Sequence, residues 1–240
     1  MNPEALQRAS RRLSAKPWRV VEVQHRASTM RLVDTLEEQR LLEDLLEQGK
    51  PPLPADAEPL HYLLATPFRY PAPPPDGSRF RGVGDPGVWY GASALGTALA
   101  EVAYWRLRFL ADSPATPDLP PVPHTAFRAD VAGPGFALTD AAFAPQRTQW
   151  ENPVSYEATQ ALARDARDAG IALIRYRSVR DPQHRFCIAV LSPEAFRARA
   201  PLEQHTWLVK VTRRLVLAEA DLGAQRMAFE PRQLGLPQLA

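Results

Sequence analysis

The residues best suited to chemistry in this sequence are concentrated in one stretch, residues 78–110. It begins with two arginines, Arg79 and Arg81, in a glycine-rich loop, and continues through an aromatic segment that contains Tyr90. A run of alanine, leucine and valine then carries one carboxylate, Glu101. Guanidinium groups bind phosphate through paired hydrogen bonds, and an aromatic ring can stack on a flat base. The stretch therefore suits an anionic, aromatic ligand such as a dinucleotide.

Glu101 lies in the segment TALAEVAYW, where helical spacing places Ala98, Val102 and Trp105 on or near the same face. Two interpretations fit a single carboxylate among apolar neighbours. Either it lies at the edge of a solvated face, or it points into a pocket. In a pocket, such a carboxylate can stabilise the positive charge that develops on a sugar when a glycosidic bond breaks.

The two arginines alternate with Phe80, so in an extended chain both guanidinium groups lie on one side and the phenylalanine on the other. The neighbouring glycines allow the backbone to approach a phosphate closely, although solvated loop arginines fit the pattern equally well. Tyr90 follows two apolar residues in a predicted strand, where it either stacks on a ligand or belongs to the core.

A second polar segment follows the buried run at residues 171–176, and it contains Ser178 among several arginines. No GxSxG pattern surrounds this serine, so a hydrolase nucleophile is not indicated. Ser178 is then either an ordinary turn residue or a hydrogen-bonding partner of a polar ligand.

Alternating and β-branched patterns predict the elements that must position these residues. Thr35 and Glu38 form a capping box, and the leucines that follow predict a packing helix over residues 35–48. Asn152 and Pro153 predict the start of a helix that closes at Gly170. Predicted strands lie at residues 18–23, 88–90, 122–131 (before a turn at 133–135), 171–176, 186–191 and 207–216.

Because strands outnumber helices, the sequence predicts an α+β fold with a mixed sheet and a few flanking helices. The glycines near residue 84 precede a strand and do not form a GxGxxG fingerprint, which argues against a doubly wound parallel sheet. We expect an N-terminal strand–helix extension at residues 1–59 and a main domain at 60–240. The 25 prolines include clusters at 51–59, 67–75 and 114–123, which predict extended surface connections.

Composition narrows the class of protein. With 240 residues and a net charge of +2 without a block of lysine or arginine, the chain does not have the charge pattern of a nucleic-acid-binding protein. The single cysteine, Cys187, lies in an apolar run and excludes an internal disulfide. The sequence contains no signal-peptide pattern and no run long enough to span a membrane, so we expect a cytoplasmic protein.

Together, the segments GSRFRGVGDPGVWYGAS, TALAEVAYW and IALIRYRSVRDP resemble the RES domain, which is named for its arginine, glutamate and serine. The resemblance covers about residues 62–216. By position, Arg79 matches the family arginine, Tyr90 the tyrosine, Glu101 the glutamate and Ser178 the serine. Arg81 is an alternative to Arg79, because the family loop often reads Gly-Arg-Trp and this one reads Ser-Arg-Phe-Arg.

The resemblance implies an ADP-ribosyltransferase-like fold and a toxin of a bacterial toxin–antitoxin pair. Such proteins act on NAD+, degrading it by hydrolysis or phosphorolysis or transferring ADP-ribose to a protein, without a metal. Arg79 or Arg81 would bind the pyrophosphate, Tyr90 the nicotinamide, and Ser178 the nicotinamide or a phosphate, while Glu101 acts on the ribose. The expected partner is an Xre-type helix-turn-helix antitoxin. The alternative from another class is a non-catalytic regulatory or nucleic-acid-binding module that uses the basic residues at 175–185.

Overall fold

The computed structural model describes residues 2–23, 32–70 and 77–238 of the chain. The strands in these ranges are β1 (Arg11–Ala15), β2 (Trp18–Glu22), β3 (Trp89–Ala92), β4 (Asp118–Arg128), β5 (Val131–Ala137), β6 (Leu173–Arg177), β7 (Phe186–Val190), β8 (Glu203–Thr212), β9 (Val216–Ala220) and β10 (Gln225–Phe229). The α-helices are α1 (Pro3–Ala9), α2 (Leu36–Gln48), α3 (Tyr62–Arg69), α4 (Leu95–Asp112), α5 (Arg147–Trp150) and α6 (Glu157–Asp168). Short 3-10 helices occupy Ala141–Gln146, Pro193–Ala195, Asp221–Gly223 and Pro231–Leu234.

The strands form one sheet of 10 strands in the order β1-β5-β6-β7-β3-β2-β4-β8-β9-β10. Strands β5 and β6 pair in parallel, and the other described pairs are antiparallel. Helices flank this sheet, so the predicted α+β class with a mixed sheet is confirmed.

The sheet separates between β2 and β3. Trp18 of β2 pairs with Ala92 of β3, and the described register between these strands ends there. On their other sides, both strands are paired along their whole length, β2 with β4 and β3 with β7. The two strands therefore diverge, which opens a gap in the middle of the sheet.

Helix α4 lies against the sheet beside this gap. Its buried residues include Ala100, Ala103, Leu107 and Leu110, whose spacing of three and four places them on one face of the helix. This face contributes to the larger of two buried apolar clusters, and the smaller cluster contains Leu64 of α3 with the opposite face of the sheet. The buried apolar face fixes the orientation of α4 on the sheet. Polar residues next to that face, such as Glu101, therefore point towards the gap.

The capping box of Thr35 and Glu38 is present, and helix α2 has the predicted extent. The expectation that this helix packs through its leucines was wrong, because none of its residues is buried and Leu36, Leu45 and Leu46 are at least half exposed. Propensity and capping determine a helix locally, whereas burial needs a complementary surface elsewhere in the chain.

Three other predictions need correction. Asn152 does not begin the helix: its side chain accepts hydrogen bonds from the backbone of Val154 and Ser155, and α6 starts at Glu157. Residues 133–135 belong to strand β5 and do not form a turn. The proline-rich segment 114–123 partly enters strand β4, and Pro67 lies inside α3. The rest of the predicted connection, residues 71–75, lies outside the described residues.

Residues 11–22 of the expected N-terminal extension contribute two strands to the sheet, since β1 pairs with β5 and β2 pairs with β4. The domain division at residue 59 stays a prediction. Among the described helices, none is both long enough and apolar enough to cross a membrane.

The glycine-rich loop before β3 packs tightly on α3. A Cβ atom at Gly87 would lie 2.3 Å from the Cα of Phe68 and 2.5 Å from the carbonyl oxygen of Pro67. We therefore expect Gly87→Ala to lower the free energy of unfolding by about 1–3 kcal/mol, measured by denaturant titration. Gly49→Ala is the matched control, because the nearest atom to its Cβ would be 3.7 Å away. Equal stability of the Gly87→Ala variant and the wild type would contradict the tight contact.

Candidate active site

A cavity of about 450 Å³ lies between α4 and the gap in the sheet. Arg79, Tyr90 and Glu101, which the sequence analysis selected, all line it. Tyr156, Tyr176 and Arg180 line the same region. The structure therefore brings together a guanidinium, a carboxylate and several aromatic rings from distant parts of the chain.

Glu101 is held by a hydrogen bond from a distant serine. The hydroxyl of Ser178 donates to Oε1 of Glu101 at 2.6 Å, and Sγ of Cys187 lies 3.9 Å from the same oxygen. Glu101 is partly buried and lines the cavity. Of the two interpretations of this carboxylate, the structure supports the one in which it points into a pocket.

The environment of Glu101 raises its pKa. Burial is the largest cause, because it disfavours the charged carboxylate, and the nearby charge of Asp181 acts in the same direction. The hydrogen bond from Ser178 and the positive charges of Arg79 and Arg180 oppose this effect and favour the ionised form. The carboxylate therefore depends on its partners to remain charged.

Ser178 lies behind Glu101 and away from the cavity. Its side chain is fully buried, and its hydroxyl accepts hydrogen bonds from the backbone N–H groups of Arg180 and Asp181 at 3.1 and 2.9 Å. Because this hydroxyl is engaged by Glu101 and by the turn, Ser178 does not line the cavity as the predicted ligand contact requires. From this position its hydroxyl orients the carboxylate of Glu101.

The turn that carries Ser178 is anchored to α4 by a buried hydrogen bond between Thr97 and Asp181. Oδ2 of Asp181 accepts hydrogen bonds from Thr97 Oγ1 at 2.8 Å and from Arg185 Nε at 2.7 Å. Burial opposes the ionisation of Asp181, but the hydrogen bonds from Arg185 and Thr97 outweigh it and lower its pKa to about 2. Thr97 lies one helical turn before Glu101, so this network fixes the turn next to the carboxylate. Thr97 and Asp181 were not among the residues predicted from the sequence.

Tyr90 positions the arginine loop as well as lining the cavity. Its hydroxyl lies 2.8 Å from Oγ of Ser78 and accepts a hydrogen bond from the backbone N–H of Phe80 at 3.0 Å. Burial raises the pKa of Tyr90, so the phenol stays protonated. Its hydroxyl thus holds the residues on both sides of Arg79.

Arg79 enters the cavity with part of its guanidinium free. Nη1 donates to the carbonyl oxygens of Trp150 and Asn152 at 2.9 and 3.1 Å, and the guanidinium lies 4.9 Å from the ring centroid of Tyr156. Within the described part of the chain, Nε and Nη2 have no hydrogen-bond partner. These two N–H groups remain for an anionic ligand.

Arg81 has a different environment. It is buried, and its guanidinium donates to the carbonyl oxygens of Asp85 (3.2 Å), Pro67 (3.4 Å) and Tyr70. It does not line the cavity. The structure therefore does not bring Arg81 to the site, because its donors connect the loop to the end of α3.

Arg180 and Arg19 also line the cavity, and neither was selected from the sequence. The guanidinium of Arg180 lies 3.6 Å from the ring centroid of Tyr104 and donates to the carbonyl oxygen of Pro153. Nη1 of Arg19 donates to the carbonyl oxygen of Tyr90 at 2.8 Å, and burial lowers the pKa of Arg19 to about 10. The sequence signal that could have identified Arg19 is the presence of a charged residue inside the β-branched segment of β2.

Removal of the Ser178 hydroxyl tests its positioning role. Ser178→Ala deletes a hydrogen bond to the charged form of Glu101, so we expect the pKa of Glu101 to rise further, measured by carboxyl-carbon NMR titration. Ser192→Ala is a suitable control, because Ser192 caps a short helix and does not line the cavity. An unchanged Glu101 titration in the Ser178→Ala variant would show that the hydrogen bond does not influence the carboxylate.

The family model described as the RES domain matches residues 53–211, whereas no curated protein matches the sequence. One similar solved structure is that of the M. tuberculosis MbcT-MbcA toxin-antitoxin complex, with a TM-score of 0.47 and 11% identity, covering 83% of this chain and 92% of that one. The described residues contain no cluster of three or more histidine, cysteine, aspartate or glutamate side chains that could hold a metal ion. Since the family model covers more than half of its length, the chain belongs to the RES domain family.

Proposed function

We propose that the protein is an enzyme that consumes NAD+ by cleaving the bond between nicotinamide and ribose. The observation that carries the proposal is the position of Glu101, a carboxylate held by Ser178 at the wall of a cavity that also contains the partly free guanidinium of Arg79. RES-domain proteins generally use NAD+, and each motif residue of the family except the alternative Arg81 lies at or directly behind this cavity.

Arg79 is suited to the pyrophosphate. Its Nε and Nη2 groups, free among the described residues, supply two parallel donors of the kind that bind phosphate oxygens. Contact with the ring of Tyr156 and two backbone carbonyls restrains the guanidinium before a ligand arrives. The restraint reduces the conformational entropy that binding would otherwise remove.

Glu101 acts on the sugar. As the bond between C1′ and the pyridinium nitrogen breaks, its electron pair moves to nitrogen, nicotinamide leaves as a neutral molecule, and positive charge develops on the ribose. An ionised carboxylate in a partly buried position, where the local dielectric is lower than in water, stabilises that charge more effectively than it would in bulk solvent. Because burial raises the pKa of Glu101, we expect the activity to fall as the pH decreases through that raised value.

The ribosyl cation must then be captured by a nucleophile. Water gives ADP-ribose, inorganic phosphate gives its 1″-phosphorylated form, and a protein side chain gives an ADP-ribosylated protein. Product analysis with and without inorganic phosphate, and with labelled NAD+ in cell lysate, separates these three reactions.

The proposed biological role is that of the toxin in a toxin–antitoxin pair. Loss of NAD+ harms the cell that makes the enzyme, so a partner must control it. We propose an Xre-type helix-turn-helix antitoxin as this partner, and the cytoplasm as the place where the enzyme meets NAD+. Membership of the RES family supports these proposals.

Glu101→Gln tests the catalytic role with a nearly isosteric change. The variant keeps the size of the side chain but loses the negative charge, so we expect nicotinamide release from NAD+ to fall by at least about 100-fold, a typical effect of removing one electrostatic group. Nicotinamide release is measured by chromatography, and circular dichroism confirms folding. Full turnover by a folded Glu101→Gln variant would refute the role, and absence of release by the wild type would favour a non-catalytic module.

The two arginines of the loop should respond differently to substitution. Arg79→Ala removes donors that face the cavity, so we expect a KM for NAD+ about tenfold higher, corresponding to about 1.4 kcal/mol. Arg81→Ala leaves buried carbonyls unpaired, so we expect lower stability to thermal unfolding while the KM of the folded protein changes little. The opposite result, with Arg81→Ala controlling KM, would assign the phosphate to Arg81.

A further inference from the structure

The cavity extends beyond the site of Glu101 along helix α4. Trp105 and Arg106 of this helix line its continuation, together with Glu22 of β2 and His124 of β4. At a rise of about 1.5 Å per residue, Arg106 lies roughly 7.5 Å farther along the helix axis than Glu101. The carboxylate of Glu101 and these four residues therefore occupy different parts of one cavity. Cleavage of the bond between nicotinamide and ribose uses only the part at Glu101.

Glu22 and Arg106 form an ion pair at this far end. Nη2 of Arg106 donates to Oε2 of Glu22, and about a third of each side chain is exposed. Among the described residues, Oε1 of Glu22 has no hydrogen-bond partner. The pair therefore presents a carboxylate oxygen that can accept hydrogen bonds from a ligand.

His124 lies beside Glu22 on the same face of the sheet, since the two residues are opposite each other in the antiparallel β2–β4 pairing. The ring is almost completely buried, and Nδ1 is 2.9 Å from the carbonyl oxygen of Val122. A carbonyl only accepts, so Nδ1 carries the proton and Nε2 of the neutral ring has a free lone pair. Nε2 has no partner among the described residues. A buried acceptor of this kind is stabilised when a donor from water or a ligand forms a hydrogen bond with it.

Trp105 supplies an exposed aromatic surface at the same end. It is one helical turn after Glu101, lines the cavity and is 51% exposed. Phe109, one turn later on the same helix, is also 51% exposed but does not line the cavity. Trp105 is thus the half-exposed aromatic residue of this helix that a ligand in the cavity can contact.

We propose that this far end is a nucleoside subsite for the adenosine half of the dinucleotide, in which Trp105 stacks on the base and Glu22 accepts hydrogen bonds from the ribose hydroxyls. The inference rests on the proposed function, which places the nicotinamide half at Glu101. It adds a consequence for specificity. A carboxylate that binds the 2′-hydroxyl repels a 2′-phosphate, so the subsite selects NAD+ over NADP+.

Arg106 makes this selection sensitive to a single substitution. In the wild type, its charge is offset by Glu22. When Glu22 is removed, the guanidinium is free to pair with a 2′-phosphate. The same change that removes an acceptor for NAD+ therefore creates a site for NADP+.

The first experiment compares nicotinamide release from NAD+ and NADP+ by the wild type and by Glu22→Ala. We expect the ratio of kcat/KM for NAD+ to kcat/KM for NADP+ to fall at least about tenfold in the variant. Glu203→Ala is the control, because it breaks a different half-exposed ion pair, that with Arg128, outside the cavity. An unchanged ratio in a variant that still releases nicotinamide from NAD+ would refute the subsite alone, whereas absence of release by the wild type would refute the proposed function.

The second experiment does not depend on turnover. AMP contains the adenosine half without the scissile bond, and its binding can be measured by calorimetry on the Glu101→Gln protein. We expect Trp105→Ala in this background to weaken AMP binding about tenfold, corresponding to about 1.4 kcal/mol, because the base loses the aromatic ring on which it stacks, whereas Phe109→Ala leaves binding unchanged. Equal affinities in the two variants, or no AMP binding by the parent protein, would overturn the proposal.

Discussion

The hydrogen bond from Ser178 to Glu101 is the contact on which the candidate site depends. It joins residues 77 positions apart in the chain and holds a carboxylate whose burial raises its pKa. Polar groups in such an environment are stable only when their partners are fixed as well. Here, Thr97 and Arg185 hold Asp181, the turn that contains Asp181 holds Ser178, and Ser178 holds Glu101. The carboxylate is therefore oriented by residues that do not reach the cavity.

The gap in the sheet provides the space that this carboxylate faces. Strands β2 and β3 meet at one residue pair and then diverge, so backbone groups along the gap need partners from side chains. Arg19 supplies one such partner by donating to the carbonyl oxygen of Tyr90 across the gap. The hydroxyl of Tyr90 in turn holds the loop that carries Arg79. The interruption of pairing between β2 and β3 thus helps to position Arg79, the proposed phosphate-binding residue.

Charge is distributed along the cavity in a way that fits an elongated ligand with chemically distinct halves. Arg79 and Arg180 lie near Glu101, where they favour its ionised form, while Arg106 is offset by Glu22 at the far end. Cationic groups beside Glu101 suit a pyrophosphate, and the carboxylates of Glu101 and Glu22 suit the two riboses of a dinucleotide.

The sequence by itself determined the elements and the identity of the central residues. Capping, periodicity and β-branched runs predicted helix α2, the helix of Glu101 and most of the strands, because these signals act between residues close together in the chain. Only the tertiary structure decided where these residues lie and what they contact. It placed Arg79 in the cavity and used Arg81 to connect the loop to α3, and it left the leucines of α2 exposed. It also placed Ser178 behind Glu101 and added Arg19, Glu22 and Trp105 to the cavity. These outcomes depend on which distant surfaces meet, and short-range sequence patterns contain no information about such contacts.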